Sequence, residues 1–155
     1  MTSRLPYWTI APKAVKRMMA INSYRVGSAI ESSLRHLIWL RVSQINGCAY
    51  CVDLHTHEAL RDGESLQRLN CLVVWAETPL FSDRERSALA WAEALTNVSE
   101  THAPDELYEA VRANFEDKEL VDLTLMIASM NAWNRMAIGF RRQPSQRAQS
   151  AYRGC

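Results

Sequence analysis

This chain carries no excess charge of either sign: 18 Lys and Arg stand against 17 Asp and Glu in 155 residues, for a net charge of +1. No run of Lys or Arg forms a stripe, which argues against nucleic acid or an anionic membrane as a partner. No apolar run approaches the ~20 residues that span a bilayer. The opening residues, Met1-Thr2-Ser3-Arg4-Leu5-Pro6, lack the basic and apolar regions of a secretory signal. The cytosol is therefore the expected compartment. No stretch alternates apolar and polar residues between hairpin turns, so strands are unsupported. Internal repeats and low-complexity segments are also missing. The length suits one domain, 1–155. A chain of this size buries about 68–70% of its unfolded surface and needs no disulfide to hold a core.

What is present reads as helix after helix. The first is expected after Pro12, using Val15, Met18, Met19 and Tyr24. The second is expected from about Ser28 to Ile45. It is apolar almost all round, which marks a central, buried helix. Asn46-Gly47 breaks it, with Asn46 as a ready N-cap for a third helix. That helix ends near Asp62-Gly63, where Gly63 suits the left-handed position. A short helix is expected from Ser65 to about Trp75. Ser82-Asp83-Arg84-Glu85 is a capping box opening another helix through Leu95. Pro104-Asp105-Glu106 suits the first turn of a helix running to about Phe115. A long final helix spans about Lys118 to Arg141, before a polar tail from Gln143. Cys71 is expected buried and inert. Cys155, at the end of the tail, is expected exposed, with an intermolecular disulfide as a minor alternative.

The chemistry concentrates in Cys48-Ala49-Tyr50-Cys51-Val52-Asp53-Leu54-His55. On a helix of about 100° per residue, Cys48, Cys51 and His55 share an arc of roughly 60°. The two cysteine Cα atoms would sit about 5–6 Å apart, inside the window for a disulfide. A helix N-terminus favours thiolate over thiol. A thiolate attacks a peroxide oxygen or a disulfide sulfur, and a second thiol one turn away can then close a disulfide. His55 projects from the same face and could carry protons, with Glu58 one turn on to orient it. His57 points to the opposite side and is expected at the surface. Two plainer readings stay open. Structural zinc uses Cys and His, but three ligands on one short helix cannot surround a tetrahedral ion. The other reading is two buried, inert cysteines with a capping or core histidine. In the cytosol, a CxxC followed by His at this spacing favours a redox pair.

If helices two and three form a hairpin about Asn46, His36 should lie roughly level with His55. A histidine on an apolar helix is usually a satisfied core residue, and that reading stands beside the functional one.

The segment from Arg35 to Thr56, including Leu40-Arg41-Val42-Ser43-Gln44-Ile45-Asn46-Gly47-Cys48-Ala49-Tyr50-Cys51, resembles the core of the AhpD-like alkylhydroperoxidases of the carboxymuconolactone decarboxylase superfamily. Phe81 to Thr96 and Asn131-Ala132-Trp133-Asn134-Arg135 resemble the rest of that subfamily. The likeness covers about residues 12–142. It implies an all-α, single-domain bundle of about six to seven helices with the CxxC helix at its centre, assembled as a trimer or hexamer. It implies thiol-dependent reduction of hydroperoxides with no cofactor and no metal, and a dithiol donor such as a lipoyl-bearing protein. By position in the motif, Cys51 meets the peroxide, Cys48 resolves and His55 relays protons. Relatives usually place a glutamate where this chain has His36, and some place a histidine where it has Tyr50. Glu58 is the candidate to supply the missing charge.

Two further readings are weighed against the peroxidase. One is a thiol–disulfide exchange or redox-sensing module with weak peroxidase activity. The other is a lyase acting on a lactone acid, as in branches of the superfamily that generally lack the CxxC. Two asparagines inside the apolar final helix need buried partners, so Asn131 and Asn134 are expected to serve the hairpin rather than line the site.

Overall fold

The computed structural model describes residues 2–22 and 28–144. Among them are nine α-helices, one 3-10 segment and no strand. The helices are α1 (Tyr7–Ile10), α2 (Pro12–Asn22), α3 (Ser32–Ile45), α4 (Ala49–Arg61), α5 (Leu66–Cys71), α6 (Asp83–Thr96), α7 (Val98–Thr101), α8 (Asp105–Arg112) and α9 (Asp117–Gly139). The count exceeds six or seven because α1 and α7 are single turns. No helix is long and apolar enough to cross a membrane among the described residues. Tyr24 and Cys155 lie outside them.

α3 holds the centre, packed against α4, α6 and α9. Leu34, Leu37, Ile38, Leu40 and Val42 are almost wholly removed from water, as an all-round apolar helix requires. α4, the CxxC helix, lies directly against it. α3 begins four residues later than expected. Residues 28–31 stay outside the helix because tertiary contacts hold them: the Ala29 N–H donates to Asp122 on α9 at 2.9 Å, and Ile30 is buried. Glu31 then takes the extended N-cap conformation.

The capping box at Ser82 and Glu85 forms as expected. A second one, Glu116 with Glu119, starts α9. The helix expected over 65–75 divides. α5 stops at Cys71, and Leu72–Glu77 follows as a 3-10 segment with non-helical Val74. Arg86 accounts for the break, since its guanidinium donates to the carbonyls of Trp75, Ala76 and Thr78. Leu69 and Leu72 take the core positions, so Cys71 is half-buried rather than buried. Met19 on α2 is exposed, not part of an apolar seam. α8 stops at Arg112, short of Phe115. Arg84 takes the Asn114 carbonyl there and stacks 4.0 Å over the buried Phe115 ring.

The turn between α3 and α4 positions the cysteines. Gly47 adopts φ +68°, the left-handed region that favours glycine after a helix. The Cys48 N–H bonds back to Ser43 O at 3.0 Å. Asn46 therefore closes α3 instead of opening α4, and Cys48 becomes the N-cap of α4. Freed from capping, the Asn46 amide donates to Val42 O and to the side-chain oxygens of Asn131 and Asn134. The two α9 asparagines thus serve the hairpin. At the other end of α4, Gly63 sits at φ +92° as expected.

Candidate active site

Cys48 and Cys51 form a disulfide with Cα atoms 5.3 Å apart. Their spacing follows from helix geometry once Cys48 is the N-cap. The Cys51 N–H points at Cys48 Sγ at 3.3 Å, so one of the orphan donors of the α4 N-terminus is aimed at a sulfur. Both residues are buried, and Ala137 of α9 packs against them. Tyr50, between the cysteines, is half-buried and lies under the Arg142 guanidinium, whose carbon is 3.9 Å from the ring centre.

His55 is buried one turn beyond Cys51. Its Nδ1–H donates to Glu58 Oε2 at 3.0 Å, because an ionised carboxylate only accepts. In the neutral ring this leaves Nε2 as the basic nitrogen, the tautomer a proton carrier needs. The Trp39 ring packs on His55, with centroids 5.3 Å apart. His57 is half-buried rather than fully at the surface.

His36 differs from the hairpin expectation. The α3 residue stacked on His55 is Trp39, and His36 meets α4 nearer its far end. There its Nε2–H donates to Asp62 Oδ2 at 2.9 Å. Asp62 lies about two helical turns past His55, because the two helices do not pair symmetrically about Asn46. His36 Nδ1 is buried with no hydrogen-bond partner. Burial lowers the His36 pKa from its usual 6.5, and the bond to Asp62 opposes the shift only in part. The Asp62 carboxyl is held below its ordinary range, first by Arg61 and then by His36. Reading the sequence missed Asp62 as a partner because it was seen only as the end of α4; a hairpin register about two turns later would have found it. Arg142 left no local signal, since only the tertiary fold carries it to Tyr50. Among the described residues, no group of three or more His, Cys, Asp or Glu side chains is arranged to hold a metal ion.

The signature of the carboxymuconolactone decarboxylase family matches residues 12–94, more than half of the chain. A crystal structure from Agrobacterium tumefaciens, of a protein of unknown function provisionally assigned to AhpD antioxidant defence, superposes with a TM-score of 0.91 at 44% identity, covering 94% of this chain and all of that one. The chain is an AhpD-like member of the carboxymuconolactone decarboxylase family. Uncharacterized YdfG of Bacillus subtilis strain 168 is 43% identical to this AhpD-like chain over 138 residues, 89% of this chain and 94% of YdfG. An uncharacterized peroxidase-related protein from Silicibacter sp. TM1040 shares the fold at a TM-score of 0.79 and 23% identity, covering 89% of this chain and 73% of that one. The AhpD-like frame therefore holds a CxxC, a histidine one turn on and a carboxylate beside it, an arrangement suited to reversible thiol chemistry.

Proposed function

We propose that this protein is a cofactor-independent peroxidase of organic hydroperoxides that cycles through the Cys48–Cys51 disulfide. The observation that carries this reading is the bonded pair at the start of α4, one turn from the His55–Glu58 dyad. In the reduced protein, His55 Nε2 takes the Cys51 thiol proton. The Cys51 thiolate attacks the terminal hydroperoxide oxygen; an S–O bond forms and the O–O bond breaks. His55 returns the proton to the departing alkoxide, which leaves as an alcohol. The peroxide is reduced by two electrons and Cys51 becomes a sulfenic acid. Cys48 then attacks that sulfur, and the hydroxyl leaves as water with the Cys48 proton. A dithiol donor, such as a lipoyl-bearing protein, returns two electrons through a mixed disulfide and is itself oxidised. The Cys51 N–H aimed at Cys48 Sγ favours negative charge there, which suits Cys48 as resolving nucleophile and as leaving group on reduction.

The test is a thiol count after one equivalent of cumene hydroperoxide meets the reduced protein. Two thiols should vanish, and Cys48→Ser should instead trap a Cys51 sulfenic acid that dimedone labels. If Cys48 and Cys51 stay reduced in folded protein, the reading is wrong. His36 in place of the family's usual carboxylate supports a second reading, thiol–disulfide exchange or redox sensing without useful peroxide turnover. That reading predicts exchange with a dithiol but slow oxidation by peroxide, and a fast second-order peroxide reaction excludes it.

A further inference from the structure

Among the described residues, Arg142 lies over Tyr50 of the CxxC and pairs with no carboxylate. Arg142 follows the end of α9, where the chain turns back and its N–H bonds to Ala137 O at 2.9 Å. Ala137 is the residue packed on the two cysteines. The Arg142 side chain reaches over Tyr50, the residue between them, at 3.9 Å. Trp8 lies on the same guanidinium at 5.0 Å, and the Tyr7 hydroxyl accepts from Nη1 at a long 3.4 Å. Backbone and side chain together hold the charge over Tyr50, beside the buried cysteine pair.

The other arginines in structured parts of the molecule show what is unusual here. Arg41, Arg61, Arg68, Arg84 and Arg112 each pair with a carboxylate, whereas Arg4, Arg86 and Arg135 give their N–H groups to backbone carbonyls. Arg142 is half-buried, and no salt bridge reaches it among the described residues. A guanidinium carries five N–H donors in a planar fork, and among the described residues the side-chain bond to Tyr7 uses one of them. Aromatic faces hold the plane by cation–π attraction without consuming the fork. The fork matches a carboxylate in bidentate geometry. Trp8, on the guanidinium, is 40% exposed, and Leu5 and Ile10 beside it in sequence are 52% and 61% exposed. A ligand with an apolar body and one carboxylate fits both features.

We infer that Arg142 is the anion-recognising residue of this site, and that the hydroperoxide it selects carries a carboxylate. The inference rests on the peroxidase reading for the word hydroperoxide, but the anion site itself does not depend on it. Arg142 sets specificity; the thiols and His55 perform the reaction on acid and neutral peroxides alike.

The experiment compares a matched pair, para-carboxycumene hydroperoxide and its methyl ester, by stopped-flow oxidation of the reduced protein. The wild type should prefer the acid by about tenfold at low ionic strength, the scale of one charge-assisted hydrogen bond. The preference should fall toward one in Arg142→Gln, and should shrink in the wild type as salt rises. The ratio is the readout because a charge that merely stabilised the thiolate, or merely braced the fold, would change both rates together. A parallel titration of the oxidised protein with para-isopropylbenzoate and its methyl ester reads the anion site without peroxide chemistry. If neither hydroperoxide oxidises the thiols but the benzoate still binds through Arg142, the peroxidase reading falls and the anion site stands. A wild-type ratio of one, or a ratio that Arg142→Gln leaves unchanged, overturns the inference. If that variant does not fold, a salt-independent wild-type ratio does the same.

Discussion

Burial and a carboxylate pull His36 in opposite directions, and burial is the stronger. Its pKa is lowered from 6.5 chiefly by desolvation; Asp62 and Glu58 raise it, and Arg35 lowers it further. The imidazole is therefore neutral at pH 7, with Nε2–H held by Asp62. The folded pKa lies below the unfolded one, so between them the unfolded chain binds more protons and stability rises with pH. Stability is fully present above about pH 6.5 and falls as pH drops from there toward the folded pKa. Within that window the slope for one group has an upper limit of about 1.4 kcal/mol per pH unit, or about 3–6 °C in melting temperature for a domain of this size. Asp62, whose carboxyl is held low, acts in the same direction at more acid pH. His36→Gln should flatten the melting-temperature profile just below pH 6.5. An unchanged slope in that variant would assign the acid sensitivity to another group. The sequence showed that His36 was out of place on an apolar helix. It did not show where the ring would turn, because the partner depends on helix register, which one turn of error reassigns.

At the scale of elements, the hairpin of α3 and α4 is pinned to α9 by amides rather than by apolar contact alone. Asn134 is wholly buried. It donates to Ser43 Oγ at 3.1 Å and accepts from Asn46 Nδ2 at 2.9 Å. Ser43 in turn donates to Trp39 O. This chain of bonds sets the turn that makes Cys48 an N-cap. Asn134→Ala removes both bonds and leaves a void, at a cost of about 3 kcal/mol. Calorimetry should show a drop of about 6–12 °C. A melting temperature within 2 °C of wild type would mean that α9 does not hold the turn. Much of this was legible beforehand. The buried α3, the break at Asn46-Gly47, the αL Gly63 and the capping box at Ser82 all follow from local rules. So does the need of Asn131 and Asn134 for partners. The exceptions share a cause: α3 starts late because Asp122 holds Ala29, and the helix after Ser65 breaks because Arg86 takes its carbonyls. Asp122 is far along the chain and Arg86 belongs to the next helix, so the pattern within each affected segment does not contain the reason.

For the whole molecule, the question is which surface is left over once this core has formed. α9 is buried on one side by α3 and α6, yet its outer side is not polar. Val121 and Leu125 are 57% and 50% exposed, and Ala128 and Ala132 continue the same stripe at helical spacing. Beside Val121 and Leu125 runs a groove of ≈ 670 Å³ shared with Trp91 and Tyr108. Neither cysteine lines it, so its apolar surface is not explained by the thiol chemistry. A second copy of the chain, as the family resemblance implies, would cover it. The small alanines would let another helix approach closely, and the branched residues would fill its grooves. A charge at the centre of such a contact is desolvated without a partner, while in a monomer it simply faces water. Leu125→Glu should therefore lower the sedimenting mass without lowering helix content. The wild type should sediment as an oligomer at micromolar concentration. A monomeric wild type, or an oligomer that survives Leu125→Glu, would show that this face is not where copies meet. The Cys48–Cys51 site lies at the opposite end of α9, beside Ala137, so the variant's thiol count with peroxide should match that of the wild type. Loss of both mass and thiol oxidation would instead mean that the assembly completes the site.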